Sequence, residues 1–114
     1  MKLYADYLKE RENIECKYND YMFATYKIYD DNTASIIDIY ADPQVRKKGI
    51  MLDFIISVLE DIKKQGIKTI YTTTVTSTNG WERSDYLIQK YGFTFCGVDP
   101  NNENIRNYYL DIEE

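Results

Sequence analysis

Ala34-Ser35-Ile36-Ile37-Asp38-Ile39-Tyr40-Ala41-Asp42-Pro43-Gln44-Val45-Arg46-Lys47-Lys48-Gly49-Ile50-Met51 is the stretch whose reading decides the fold. Ala34 to Ala41 reads as a strand, with Ile37, Ile39 and Ala41 on one face and Ile36, Asp38 and Tyr40 on the other. Pro43 stops the ladder because it has no N–H to donate. From about Gly49 the period becomes helical: Met51, Phe54, Ile55, Val58 and Ile62 share a stripe, and Asp53, Ser57, Asp61 and Lys64 oppose it. Between the two periods lies a turn that carries Arg46, Lys47, Lys48 and a glycine. A glycine lets the backbone approach a ligand with no Cβ in the way. The first N–H groups of a helix have no intrahelical partner and sit at the positive end of its dipole. Cations, glycine and helix start together make a site for an anion.

Downstream, Lys63 and Lys64 complement the helix C-terminus, and Gly66 is the expected C′ residue. Ile67 to Val75 reads as a strand, so strand, helix and strand follow in succession and predict a parallel crossover pair. Ser77-Thr78-Asn79-Gly80 is a loop, and Asn79 with Glu82 three residues on resembles a capping box. A second helix then runs from Gly80 or Trp81 to Tyr91, closed by Gly92. Phe93 to Val98 and Ile105 to Ile112 are two last strands around the turn Asp99-Pro100-Asn101-Asn102.

Upstream, Leu3 to about Arg11 reads as a short helix with Leu3, Tyr4, Tyr7 and Leu8 on one apolar face. Strands Ile14 to Tyr18 and Tyr21 to Tyr29 follow, joined at Asn19-Asp20, and Asp30-Asp31-Asn32 turns the chain into Ala34. The order predicts one α/β domain over residues 1–114 with a mixed sheet.

With 114 residues, 44% of them apolar and 29% charged, the chain has room for one modest core and the composition of a globular protein. No run approaches a membrane span, and Met1-Lys2-Leu3-Tyr4-Ala5-Asp6 holds no signal-peptide core, so a cytoplasmic location is expected. Cys16 and Cys96 stand far apart and there is no histidine, which argues against a metal site and against histidine catalysis. A net charge of −5 argues against a nucleic-acid partner and favours cationic ones such as amines, polyamines or basic protein segments.

The segment Ala41 to Met51 resembles motif A of the GNAT superfamily of N-acetyltransferases, Gln/Arg-x-x-Gly-x-Gly/Ala after a strand ending near Val-x-Pro. The helix running into Tyr91-Gly92-Phe93 is similar to the end of that family's motif B, and the element order agrees from roughly Leu3 to Ile112. The resemblance implies a mostly antiparallel sheet with a central, splayed parallel pair, helices on both faces, and acetyl-CoA as co-substrate without a metal. It implies that Arg46, Lys47, Lys48, Gly49, Ile50 and Met51 wrap the coenzyme diphosphate. Pantetheine is then expected along Ile39, Tyr40 and Ala41, where a backbone N–H near Tyr40 or Ala41 polarises the acyl carbonyl. An amine, such as a polyamine or a protein lysine, attacks directly in a ternary complex, and pairing of edge strands into a homodimer is common in this fold.

Three positions depart from the family pattern. Met51 stands where a second small residue is usual, and is accommodated if its side chain turns into the core. Ile88 stands where many members carry a tyrosine that protonates the departing thiolate, which leaves Tyr86, Ser84 or water for that role. One short helix precedes the hairpin, where the family has a strand and two helices roofing the acceptor site. Asp38 is the candidate general base, while Glu82 and Asp85 read as surface residues and Tyr91 as core. The expected activity is N-acetyl transfer to an amine; the alternative is a binding module on the same fold without turnover.

Overall fold

In the computed structural model, which describes residues 1–46 and 49–112, six strands form one mixed sheet. They are β1 (Glu15–Tyr18), β2 (Met22–Ile28), β3 (Thr33–Ala41), β4 (Thr69–Val75), β5 (Thr94–Asp99) and β6 (Asn102–Asp111), in the spatial order β1-β2-β3-β4-β6-β5. Only β3 and β4 pair parallel; the other neighbours are antiparallel. Helices α1 (Lys2–Glu12), α2 (Ile50–Lys63) and α3 (Trp81–Lys90) complete the fold, with α2 as the crossover between the parallel strands.

The apolar stripe of α2 forms here as its spacing predicts, with Phe54, Ile55, Val58, Leu59 and Ile62 all buried. Val58 and Ile62 are fully buried with Ile70 of β4 and Tyr108 of β6, and the small Ala24 and Ala34 are fully buried in the same core. Burying a Val or Ile side chain of this kind contributes about 1.5–3 kcal/mol each. Met51, at the start of the same stripe, packs partly buried against this core, so the residue that departs from motif A turns its side chain inward.

A bulge in β3 overturns the expected alternation of that strand. Thr25 pairs with Asp38, but the next β2 residue, Tyr26, pairs with Ile36, so Ile37 is an extra residue with no partner. The phase of the side chains therefore flips: Ala34, Ile36, Ala41 and the half-buried Ile39 face the core, and Ile37 is exposed. The predicted faces, with Ile37 grouped with Ile39, hold only beyond the bulge for Ile39 and Ala41. Local composition gave no sign of it, because an isoleucine suits either face.

Four other expectations change in detail. The α1 face is largely exposed, with Leu3 84%, Tyr7 51% and Tyr4 48% accessible and only Leu8 buried. Asn79 caps nothing: Gly80, at φ 83°, is the N-cap of α3 and no side chain caps it. Gly66, at φ 77°, falls two residues after the C-cap Lys64 and not one, because the chain tightens through Gln65 N–H to Ile62 C=O and Gly66 N–H to Lys63 C=O bonds. The first hairpin turns through Asn19 to Tyr21, and the Asn19 carboxamide oxygen accepts from the N–H groups of both Tyr21 and Met22.

Candidate active site

The parallel pairing of β3 with β4 covers only Thr33–Thr69, Ala34–Ile70 and Ser35–Tyr71. Beyond Ser35 the strands part. The bulge at Ile37 sits where they diverge, and β4 continues to pair with β6 as far as Val75–Ile105 while its other edge is open. Thr72 Oγ1 still reaches the Ile36 carbonyl at 3.4 Å, at the apex of the opening.

Two hydrogen bonds fix which way the free edge of β3 faces. The Asp38 N–H donates to Thr25 Oγ1 at 3.1 Å and the Asp42 N–H to the Tyr21 carbonyl at 2.7 Å, both on the β2 side. Backbone N–H groups alternate sides along an extended strand, so those of Ile39 and Ala41 point into the gap.

At the end of β3, Asp42 accepts from the Gln44 N–H at 2.9 Å and starts a 3-10 turn, Pro43–Val45, whose first position suits proline. Val45 is buried and anchors this turn. Arg46 follows, with Nε donating to the Ala41 carbonyl at 2.9 Å and its guanidinium 5.3 Å from the Tyr40 ring centre. Tyr40 in turn stacks on Phe23 at 5.8 Å, so the cation is held beside the open edge. Lys47 and Lys48 lie outside the described residues. Gly49 then takes φ 75°, a left-handed conformation that favours glycine, and among the described residues no side chain caps the α2 N-terminus it begins. The leading N–H groups of α2 are left for a ligand or solvent.

Between the parted strands and the two helices lies a cavity of about 270 Å³. Its walls include Ile36 to Ile39 on β3, Met51, Ile55 and Leu59 on α2, and Thr72 to Val75 on β4. From α3 come Ser84, Leu87, Ile88 and Tyr91, at the spacing of one helix face. The geometry thus brings Asp38 and Ser84 to one cavity. Tyr86 does not line it; that side chain is 61% exposed, with the Lys90 ammonium 5.8 Å from its ring centre. Ile88 packs against the core, as does Tyr91, whose hydroxyl pKa is raised by burial.

A polar cluster that the sequence reading missed stands behind the β4 wall. Thr74 Oγ1 lies 3.0 Å from the Tyr108 hydroxyl, which donates to Asp85 Oδ1 and accepts from Arg106 Nε at 3.1 Å. Arg106 Nε also lies 3.3 Å from Asp85 Oδ1, and its guanidinium sits 4.0 Å from the Phe95 ring centre and 5.7 Å from that of Trp81. Asp85 is therefore not the surface residue its helix position promised: its side chain is 21% exposed and fully engaged. Burial, followed by the bond to Asp85, raises the Tyr108 pKa, and the Tyr108 hydroxyl leads the contacts that raise that of Arg106. Arg106 and Tyr108 stand two apart on one face of β6, which is the one local signal; their partner on α3 is 21 residues away from Arg106 and had none.

The sequence model described as the acetyltransferase (GNAT) family matches residues 22–93. No curated protein matches the chain. Among solved structures, a GNAT family acetyltransferase from Elizabethkingia anophelis with acetyl-CoA bound superposes with a TM-score of 0.75 at 20% identity, over 97% of this chain and 82% of that one. The PaiA N-acetyltransferase of Thermoplasma acidophilum in complex with coenzyme A gives 0.74 at 18% identity, over 97% and 70%. Ard1 from Thermoplasma volcanium gives 0.71 at 18% identity; the match covers 82% of this chain and 64% of that one, less than two thirds of its length. At these identities the likeness is one of fold.

Proposed function

This chain belongs to the acetyltransferase (GNAT) family, and from that premise we propose that it transfers an acetyl group from acetyl-CoA to an amine by direct attack in a ternary complex. The observation that carries the reading is the parting of β3 from β4 after Ser35 and Tyr71, beside a helix N-terminus that opens on left-handed Gly49 without a side-chain cap. The residues present suit the coenzyme. The N–H groups of Gly49, Ile50 and Met51 meet the diphosphate, with Arg46, Lys47 and Lys48 as flanking cations. The open edge of β3 at Ile39, Tyr40 and Ala41 takes the pantetheine arm as a strand edge takes a peptide. The acetyltransferase structures with acetyl-CoA or coenzyme A bound support this placement through their shared fold.

When bound, acetyl-CoA supplies an acyl group activated as a thioester. The backbone N–H groups of Ile39 and Ala41, held by the sheet, stabilise negative charge developing on a carbonyl oxygen in the gap. Asp38, which lines the cavity, accepts a proton from the incoming amine directly or through water. In this reading Ser84, one helical turn before Ile88 and on the same wall, returns a proton to the departing thiolate. Tyr86 is turned from the cavity and takes no part in this reading. Most of the rate then comes from holding amine and thioester together. The domain that does this spans residues 1–114, and the acidic chain favours a cationic acceptor, a polyamine or a basic protein segment.

Ile88, apolar and packed on the core at the cavity wall, favours a second reading: a module that binds acyl-CoA without turning it over. Thiol release from acetyl-CoA across a panel of amines and basic proteins separates the two. Release with one acceptor supports the enzyme; binding of acetyl-CoA without release from any acceptor supports the module.

A further inference from the structure

We propose that the Thr74 hydroxyl is a directed hydrogen-bond acceptor for an amide N–H of the pantetheine arm, and that Tyr108, Asp85 and Arg106 are the positioning residues that direct it. The inference rests on the acyl-CoA reading of the cavity and deepens it.

The direction of each bond follows from the protons available. A carboxylate accepts and does not donate, so the single Tyr108 proton goes to Asp85. The Tyr108 oxygen is then an acceptor only, and it already receives Arg106 Nε at 3.1 Å. Its 3.0 Å contact with Thr74 Oγ1 is consequently a bond that Thr74 donates. A threonine hydroxyl has one proton and two lone pairs. With the proton committed behind the β4 wall, Thr74 offers only lone pairs to the cavity it lines. It therefore prefers a donor there.

The orientation is held firmly. Thr74 is 6% exposed and Tyr108 is fully buried, which shields the bond between them from water. Arg106 is clamped between Phe95 and Trp81, which keeps its Nε aimed at the Tyr108 oxygen and at Asp85. The cavity wall of α2 is apolar, Met51, Ile55 and Leu59, so a polar group entering beside it finds its partners on β3, β4 and α3. The pantetheine arm carries amide N–H groups along an otherwise flexible chain. Thr72, whose hydroxyl donates to the Ile36 carbonyl, lies nearer the apex. The buried Thr74 acceptor on β4, opposite the open edge of β3, helps set the depth to which that arm slides and hence where its thioester stops. Such a contact is specific to the arm and is not made by the nucleotide end of the coenzyme.

That difference supplies the test. Calorimetry compares coenzyme A with 3′,5′-ADP, which has the nucleotide end and lacks the arm, on wild type, Thr74→Val, Thr74→Ser and Tyr108→Phe. Val nearly matches Thr in shape, and Tyr108 keeps its bond from Arg106 when Thr74 is lost. The expected result is about fivefold weaker binding of coenzyme A by Thr74→Val and by Tyr108→Phe. Thr74→Ser keeps wild-type affinity, and 3′,5′-ADP binds all four proteins equally. If Thr74→Val does not fold, Thr74→Ala takes its place. Coenzyme A binding unchanged in the valine or alanine variant overturns the inference, as does an equal loss for both ligands, which marks a merely structural role. Failure of wild type to bind coenzyme A at all removes the acyl-CoA reading itself, and this inference with it.

Discussion

Gly49 sits where a left-handed backbone meets the start of α2. Its φ of 75° is strained for other residues, although an added Cβ meets no atom within 4 Å. Strain and charge are therefore separable. Gly49→Ala is expected to cost about 1 kcal/mol of stability and to retain much of the coenzyme affinity. Gly49→Asp carries similar strain and places a carboxylate against the diphosphate, so it is expected to abolish binding in the same calorimetric titration. Asp38→Asn is expected to lower turnover at neutral pH while leaving coenzyme affinity near wild type; full turnover in that variant removes Asp38 from the mechanism. The buried tyrosines set a pH limit. Burial is the leading cause of the raised pKa of Tyr26, Tyr91 and Tyr108. A hydroxyl whose folded pKa exceeds its unfolded value near 10 favours folding fully below that pH, and the benefit is lost as pH rises through the folded values. Urea midpoints are expected to hold steady up to about pH 9 and fall beyond about pH 10, less steeply in Tyr108→Phe.

Among the elements, α2 was the most legible in the sequence. Five apolar residues at helical spacing, a glycine before them and cations after them are all local signals, and each holds in the structure apart from the exact place of Gly66. The parallel crossover followed from it by handedness and chain length. The bulge in β3 and the Thr74–Tyr108–Asp85–Arg106 cluster were not legible, because each is fixed by residues remote in sequence: the bulge by the register of Thr25 and Tyr26, the cluster by the docking of α3 on β6. Half of the candidate site was thus readable, the half built from one continuous segment. The α1 helix shows the limit of periodicity as a guide to burial. Leu3 and Leu8 both sit on the face predicted to be apolar, yet Leu3 is 84% exposed and Leu8 6%. Leu8→Ala is expected to cost about 2–5 kcal/mol in urea unfolding and Leu3→Ala less than about 0.5 kcal/mol. Equal losses would show that α1 packs on both residues.

Across the whole molecule, the fold and the coenzyme-facing features agree with each other more closely than the catalytic groups do. The sheet opens at one place, and the bulge, the uncapped α2 start, Arg46 and the cavity all gather at that opening. Asp38 and Ser84 reach the same cavity, whereas Ile88 brings it no proton. For a cationic acceptor of the proposed kind, the net charge of −5 is expected to aid capture, and raising the salt concentration to weaken it. The most direct test of the central claim is to incubate the protein with acetyl-CoA and a panel of polyamines and lysine-rich peptides, following free thiol and the intact mass of each acceptor together. Stoichiometric thiol release with formation of an acetylated amine is the predicted result; coenzyme binding without either signal from any acceptor contradicts the claim of acetyl transfer.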